Sequence, residues 1–297
     1  MKVTCSILCY NYGRYLGQAI DSCLNQVLGD YSLEILVIDD GSTDETPEVC
    51  QHYQDSIRVS RSENQGFGAT LTKCIQEAEG DYVCLLDADD YFAPAKIVTL
   101  LPAMKTGYLY IDHYKYHINI EGNLISHEIY SGSNTSTLCL NRRAALTLLP
   151  VDNNEIFFHP LKSAGHGLTI DNPLSYYRIH NNSMTNYQKP GAQHQYLAQV
   201  THALADRLLL MSHKQSYDWA DPNLLKQMSQ EYRAVAYYDE MEAALEVGQQ
   251  KEALEACWRL FTSAIQSRTG LTYWHFQVIT RGLLGKPIST YKVKDNI

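Results

Sequence analysis

Three aspartates in four residues, Asp87, Asp89 and Asp90 around Ala88, follow directly on an apolar run that ends at Leu85 and Leu86. Packing several carboxylates together is unfavourable unless a cation joins them, because each ionised group raises the cost of ionising the next. Mg²⁺ and Mn²⁺ meet that need and also accept phosphate oxygens as ligands. The pattern therefore predicts a cation site at a strand end, where the ion turns repulsion between carboxylates and a phosphate ligand into a bridge. The competing reading is a solvated acidic loop in which Asp90 only caps the next helix.

Asp39 and Asp40 close a second apolar run, Leu36 to Ile38. A carboxylate there can accept a hydrogen bond from a nucleobase N–H or a ribose hydroxyl, while Asp40, Gly41, Ser42 and Thr43 also make a good turn. Asn64, Gly66 and Gly68 open a loop into a helix, with backbone N–H groups expected to face phosphate. The third glycine of GxGxxG is missing, which argues against a dinucleotide site, and the absence of GxxxxGK[ST] argues against a P-loop. His180 follows Tyr176, Tyr177, Arg178 and Ile179. A neutral imidazole suits Mn²⁺, although a lone histidine is more often structural. Arg178 is free to pair with phosphate or with a core carboxylate.

The elements that must position these residues are short apolar runs at Val3 to Cys9, Leu33 to Ile38, Ile57 to Ser60 and Asp81 to Leu86, the signature of strands buried on both faces. Between them, Tyr15, Ala19, Ile20, Cys23 and Val27, and then Leu71, Cys74, Ile75 and Ala78, recur at helical spacing. Asp44 is placed to cap the second helix, leaving Pro47 in its first turn. The alternation predicts an α/β unit whose ligand edge is the carboxyl end of the strands. After Pro94 the chain predicts a helix to about Lys105, a mixed sheet with a hairpin turn at Glu121, Gly122 and Asn123, a strand at Leu138 to Leu140 and a short helix before Pro150. From Gln195 onward the pattern is helical: Leu197 to Met211, Leu224 to Val247, Glu252 to Ile265 and Tyr273 to Leu284. The third of these pairs with the end of the second like one tetratricopeptide unit, with no second copy at that period.

Segments SILCYN (Ser6 to Asn11), VIDDGSTDET (Val37 to Thr46), NQGFGATLTKCIQEAEGDYVCLLDADD (Asn64 to Asp90) and PLSYYRIHNNS (Pro173 to Ser183) occur in this order. Together they resemble the family 2 glycosyltransferases over roughly residues 1–186. The resemblance implies a GT-A fold with a mixed, largely parallel central sheet, an inverting mechanism and a nucleotide-diphosphate sugar as donor. It makes the acidic box the DxD motif, with Asp89 on the metal and Asp87 on the ribose or the metal. It places Asp39 on the base with Tyr10 stacking beside it, and His180 within reach of the metal or diphosphate. Where relatives carry an acidic pair at the start of the acceptor-side helix, this chain reads Asp152, Asn153, Asn154, Glu155. Asp152 is the candidate base and Glu155 the reserve, while a helix-capping role for Asp152 calls for the same residue type. Leu8 and Cys9 depart from the Pro and Thr common before the Tyr-Asn pair, and Leu71 and Thr72 from an Arg-Asn pair.

The 297 residues, 45% hydrophobic and 19% charged, are ordinary for a globular protein. A net charge of -9 gives no general attraction for nucleic acid or anionic membranes. The eight cysteines lack a CxxC pair and sit mostly in apolar runs, which predicts neither disulfides nor zinc. Asn134 and Asn181 begin N-x-S/T triplets of no expected consequence. No run approaches the roughly 20 apolar residues of a membrane span, so the expectation is a cytoplasmic chain. The domains expected are residues 1–190 and a helical region over 191–297, the latter free to pack on the first, mediate a homodimer or other protein contact, or rest peripherally on a membrane through Tyr273 to Leu284. Metal-dependent glycosyl transfer to a glycan, lipid-linked or small-molecule hydroxyl is the reading. A sugar nucleotidyltransferase is disfavoured because Tyr10 to Gly13 lacks a basic glycine-rich loop; a non-catalytic sugar-binding module with an interacting tail is the alternative.

Overall fold

The computed structural model describes residues 1–266, except Leu28, Ser133, Asn153, residues 181–188 and Gln215. The expected helix at Tyr273 to Leu284 and the triplet at Asn181 lie outside the described residues. The chain divides into two compact units, Met1–Asn181 and Asn182–Ile297.

The first unit is built on eight strands: β1 (Lys2–Cys9), β2 (Ser32–Asp39), β3 (Arg58–Arg61), β4 (Tyr82–Asp87), β5 (Tyr91–Phe92), β6 (Tyr110–Ile118), β7 (Cys139–Asn141) and β8 (Gly167–Arg178). They form one sheet in the order β3-β2-β1-β4-β7-β6-β8-β5. The β3-β2-β1-β4 half is parallel, β7 runs antiparallel to β4 and β6, β6 and β8 are parallel, and β5 is antiparallel to β8. Its helices are α1 (Gly13–Leu24), α2 (Thr46–His52), α3 (Phe67–Glu77), α4 (Lys96–Thr106), α5 (Arg142–Leu146) and α6 (His159–Leu161).

Alternation across the pleat sorts β1 onto two faces. Val3, Cys5, Ile7 and Cys9 share a core with Leu16, Ile20 and Cys23 of α1 and Ile97, Leu100 and Met104 of α4. On the other face Ser6 lies against Cys74 of α3. The result is a sheet covered by helices on both sides, where each fully buried large apolar side chain contributes about 1.5–3 kcal/mol. All eight cysteines are buried and outside disulfides, and Cys5, Cys9, Cys23, Cys50, Cys84 and Cys139 serve as hydrophobes of that core. Strand register then fixes the working edge: Cys9 pairs with Asp39, Leu8 with Asp87, and Asp39 with Arg61, so these strands finish side by side.

The region after β6 holds one expected turn and one strand that was not anticipated. The turn at Glu121–Asn123 exists, with Gly122 at φ 86° and Asn119 N–H donating to the Asn123 carbonyl at 2.9 Å. Among the described residues isolated antiparallel bridges, Ile118 to Leu124 and Lys115 to Tyr130, follow it in place of a regular strand, and the long partner of β6 is β8. β8 went unread because Asp171, Asn172 and Pro173 interrupt its pattern. Pro173 sits where the β6 and β8 register shifts, so its missing N–H is accommodated at an irregularity.

In the second unit α7 (Ala192–Ser212), α8 (Pro222–Glu246) and α9 (Gln250–Gln266) are helical as expected. Asp221 caps α8 by accepting the N–H groups of Asn223 and Leu224 at 2.8 and 2.9 Å, ahead of Pro222. Gly248, at φ 77°, turns the chain from α8 into α9, and Ala234, Met241, Leu245, Ala253, Cys257 and Leu260 form their shared core.

Candidate active site

The loop after β1 is bolted to the loop after β2. Asn11 takes the left-handed conformation, φ 57°, which asparagine tolerates better than most residues. Its N–H donates to Ser42 Oγ at 2.8 Å, and its Oδ1 accepts the Thr43 N–H at 2.8 Å. Asp44 accepts the Gly13 N–H at 2.9 Å and the Thr46 N–H at 3.0 Å. Gly13 is required there, since a Cβ would stand 2.6 Å from the Thr46 nitrogen. Tyr10, 46% exposed, projects from this pair of loops.

Asp39 is almost fully buried, accepting the Ser42 N–H at 2.9 Å and pairing with Arg61 Nε at 3.2 Å. A cleft of about 360 Å³ beside it is lined by Pro47, Cys50, Gln51, Ile57 and Arg61. Asp40 departs from the sequence reading. Its two oxygens accept the N–H groups of Gln65 and Gly66 at 2.9 and 2.8 Å, so the carboxylate holds the glycine loop. The Gly66 N–H is correspondingly directed at Asp40.

The acidic box leaves β4 under tight control. Asp90 is buried: its Oδ2 accepts the Ser136 hydroxyl at 2.6 Å and its Oδ1 the Arg178 N–H at 2.8 Å. Asp87 is half-buried, and loss of solvent, followed by the nearby Asp90, Asp89 and Glu155, pushes its carboxyl well above the usual range. Asp90 is pushed the same way, first by burial and then by Asp89. Asp89 meets His180, whose Nε2 lies 2.8 Å from its Oδ2. The His180 side chain is 4% exposed, flanked by Tyr12 and Tyr15 with ring centroids at 5.7 and 6.0 Å, and its Nδ1 has no hydrogen-bond partner among the described residues.

Among the described residues the Arg178 guanidinium pairs with backbone carbonyls and an amide rather than with a core carboxylate. It donates to the carbonyls of Asp89, Asn119 and Ile120 and to Gln18 Oε1, at 2.7, 3.1, 2.8 and 2.6 Å, and lies over the Tyr15 ring. It fixes the backbone of the box. The acceptor-side acids separate clearly: Asp152 is exposed, whereas Glu155 is near enough to Asp87 to raise that carboxyl. Burial pushes the Glu155 carboxyl up, against the pull of Lys115. Lys115, on β6, is buried, and donates to Asn134 Oδ1 at 3.0 Å; Asp90, Asp112, Glu155 and Asp87 favour its charged form against the burial that lowers its pKa. Sequence reasoning passed over Lys115 and Ser136. A lysine in a largely buried strand rich in tyrosine was the available signal for the first; the serine, in a Thr-Ser-Thr turn, offered none.

Among the described residues no three His, Cys, Asp or Glu side chains converge as a ready cation cage. The arrangement still fits an ion of the Mg²⁺ or Mn²⁺ type, which takes one or two carboxylates from a protein and completes its shell with water and phosphate oxygens. Asp87, left short of donors and unfavourably ionised, is the clearest observation in favour of that fit.

Residues 4–158, more than half of the chain, match the model of glycosyl transferase family 2, and the chain belongs to that family. An uncharacterized glycosyltransferase of Nostoc sp. is 38% identical over 110 residues, covering 36% of this chain and 34% of the relative. Chondroitin synthase of Escherichia coli is 34% identical over 129 residues, covering 42% of this chain and 18% of the synthase. The chain thus spans only 34% and 18% of the length of these two relatives. Among solved structures, S. aureus TarS 1-349 in complex with UDP-GlcNAc superposes with a TM-score of 0.64 at 14% identity, over 96% of this chain and 88% of that one. The fold is of the GT-A type, with helices following it. No helix among the described residues is long and apolar enough to cross a membrane.

Proposed function

We propose that the chain transfers a sugar from a nucleotide-diphosphate donor to a hydroxyl acceptor, with inversion at the anomeric carbon and dependence on Mn²⁺ or Mg²⁺. The observation that carries this reading is the sorting of the box: Asp90 is consumed by Ser136 and Arg178, while Asp87 and Asp89 remain at the strand edge for a ligand. Those two carboxylates would hold the ion, with His180 orienting Asp89 or joining it as a ligand. When bound, the ion supplies charge neutralisation and Lewis-acid assistance to the departing diphosphate. Tyr10 offers a face for a nucleobase, and Asp39 keeps acceptor capacity toward a base N–H, since a carboxylate accepts more bonds than the two it makes here.

Glu155 is the better placed base. It shares its surroundings with Lys115 and Asp87, and a carboxyl raised by burial binds a proton more tightly than an exposed one, which suits proton removal near neutral pH. The acceptor oxygen bonds to the anomeric carbon as the bond to the diphosphate breaks; the acceptor proton passes to Glu155 and the electron pair leaves with the diphosphate. The test is release of free nucleoside diphosphate from UDP- and GDP-sugars in the presence of Mn²⁺ and a hydroxyl acceptor panel. Transfer predicts metal-dependent release with at least one donor. Retention of a nucleotide-sugar with no release under any acceptor would instead support a binding module.

A further inference from the structure

Ser136 is fully buried in the turn Thr135–Thr137, which Asn134 and Thr137 close with reciprocal side-chain to backbone hydrogen bonds. Its hydroxyl faces the acidic box on two sides. It accepts the Asp87 N–H at 3.1 Å, and it donates to Asp90 Oδ2 at 2.6 Å, with Asp87 Oδ2 further off at 3.4 Å. A hydroxyl has one proton to give. Given chiefly to Asp90, it leaves the Asp87 carboxylate only the longer 3.4 Å contact while fixing the Asp87 backbone from which that carboxylate extends.

The serine is itself anchored from below. Its carbonyl accepts Lys96 Nζ at 2.9 Å and the Ser175 hydroxyl at 2.6 Å, and the Lys96 ammonium, fully buried, lies 3.4 Å from the centroid of the Phe92 ring. Strand β8 thus supplies Ser175 to hold the turn and the Arg178 N–H to hold the other oxygen of Asp90.

We propose that Ser136 is a positioning residue for the donor cation: by holding Asp90 with its only proton, it leaves Asp87 as the carboxylate presented to the ion. This rests on the donor reading above. Without the hydroxyl, Asp90 Oδ2 loses its donor and the Asp87 N–H loses its acceptor, so both acids rearrange and the pair no longer presents one defined ligand. Loss of a group that orients a metal ligand typically weakens metal affinity about 10- to 100-fold.

The experiment titrates Mn²⁺ into the full chain in the presence of UDP, and in a parallel arm GDP, following the bound ion by electron paramagnetic resonance and the thermal midpoint in the same samples. The expected result is that Ser136→Ala weakens the apparent Mn²⁺ affinity about 10-fold or more, while Ser6→Ala, which removes another buried hydroxyl from the same sheet, matches the wild type. A purely structural serine predicts the reverse: a lowered midpoint without ligand and unchanged Mn²⁺ affinity in the folded fraction, which would overturn the proposal. Should Ser136→Ala fail to fold, Ser136→Cys, of similar volume but a weak donor, carries the same comparison. A wild type that takes up no Mn²⁺ with either nucleotide overturns the donor reading and the proposal with it; a wild type that binds and a Ser136→Ala that binds equally well overturns only the proposal.

Discussion

Asp152 and Glu155 are three residues apart, equally acidic, and indistinguishable in the sequence as a base or a cap. Packing separates them, because Asp152 is exposed while Glu155 is drawn in toward Lys115 and Asp87. Glu155→Gln is expected to lower kcat about 10²- to 10⁴-fold with donor affinity retained, the usual span for a lost general base. Asp152→Asn should stay within a few-fold of wild type; steady-state kinetics with donor binding measured separately checks both. The same limit of legibility explains Asp40 and Arg178. Residue type says that a carboxylate or a guanidinium stands at the ligand edge, but whether its hydrogen bonds go to a ligand or to backbone depends on loops 25 to 89 residues away, at Gln65 for Asp40 and at Asp89 for Arg178.

Strands β1, β2 and β4 were legible because sequestration between two helix layers demands unbroken apolar runs, and the ends of β2 and β4 could be placed from their aspartates. β5, two residues long, and β8, interrupted by Pro173, carry no such signal, and so the anchoring of the box by Ser175 and Arg178 was invisible beforehand. In the helical unit the readable feature was amphipathic spacing, and the unreadable one is the polar contact between α7 and α8. His194 Nδ1 lies 2.7 Å from Asp239 Oδ1, and this hydrogen bond, with Glu246 and Glu242 nearby, raises the imidazole pKa. Burial raises the Asp239 carboxyl even though His194 opposes it, so the ion pair is only partly expressed. Both shifts nonetheless have one sign: the folded form binds protons more tightly than the unfolded chain. The stabilisation from His194 is fully present below the unfolded value of about 6.5 and is lost as pH rises through the folded value above it. The thermal midpoint of the wild type relative to His194→Gln is therefore expected to fall between pH 6 and pH 8.5; a constant difference would remove this pair from the account.

For the whole molecule, family membership and the GT-A fold followed from four ordered motifs, each placed by a strand end on one edge of one sheet. The acceptor and the donor base were not legible, because in the proposed reading they depend on side chains gathered from separate loops: Tyr10, the cleft beside Asp39, and the turn at Thr135–Thr137. The central claim is that Asp87 and Asp89 bind a nucleotide diphosphate through a divalent cation. Its most direct test is the thermal stabilisation of the full chain by UDP or GDP, with and without Mn²⁺, for the wild type and Asp89→Ala. A ligand at 100 times its Kd stabilises the folded state by about 2.7 kcal/mol. The account predicts a stabilisation of that order for the wild type with at least one nucleotide, only when Mn²⁺ is present, and its loss in Asp89→Ala. Equal stabilisation of the two proteins, or stabilisation of the wild type that persists without the metal, would contradict it.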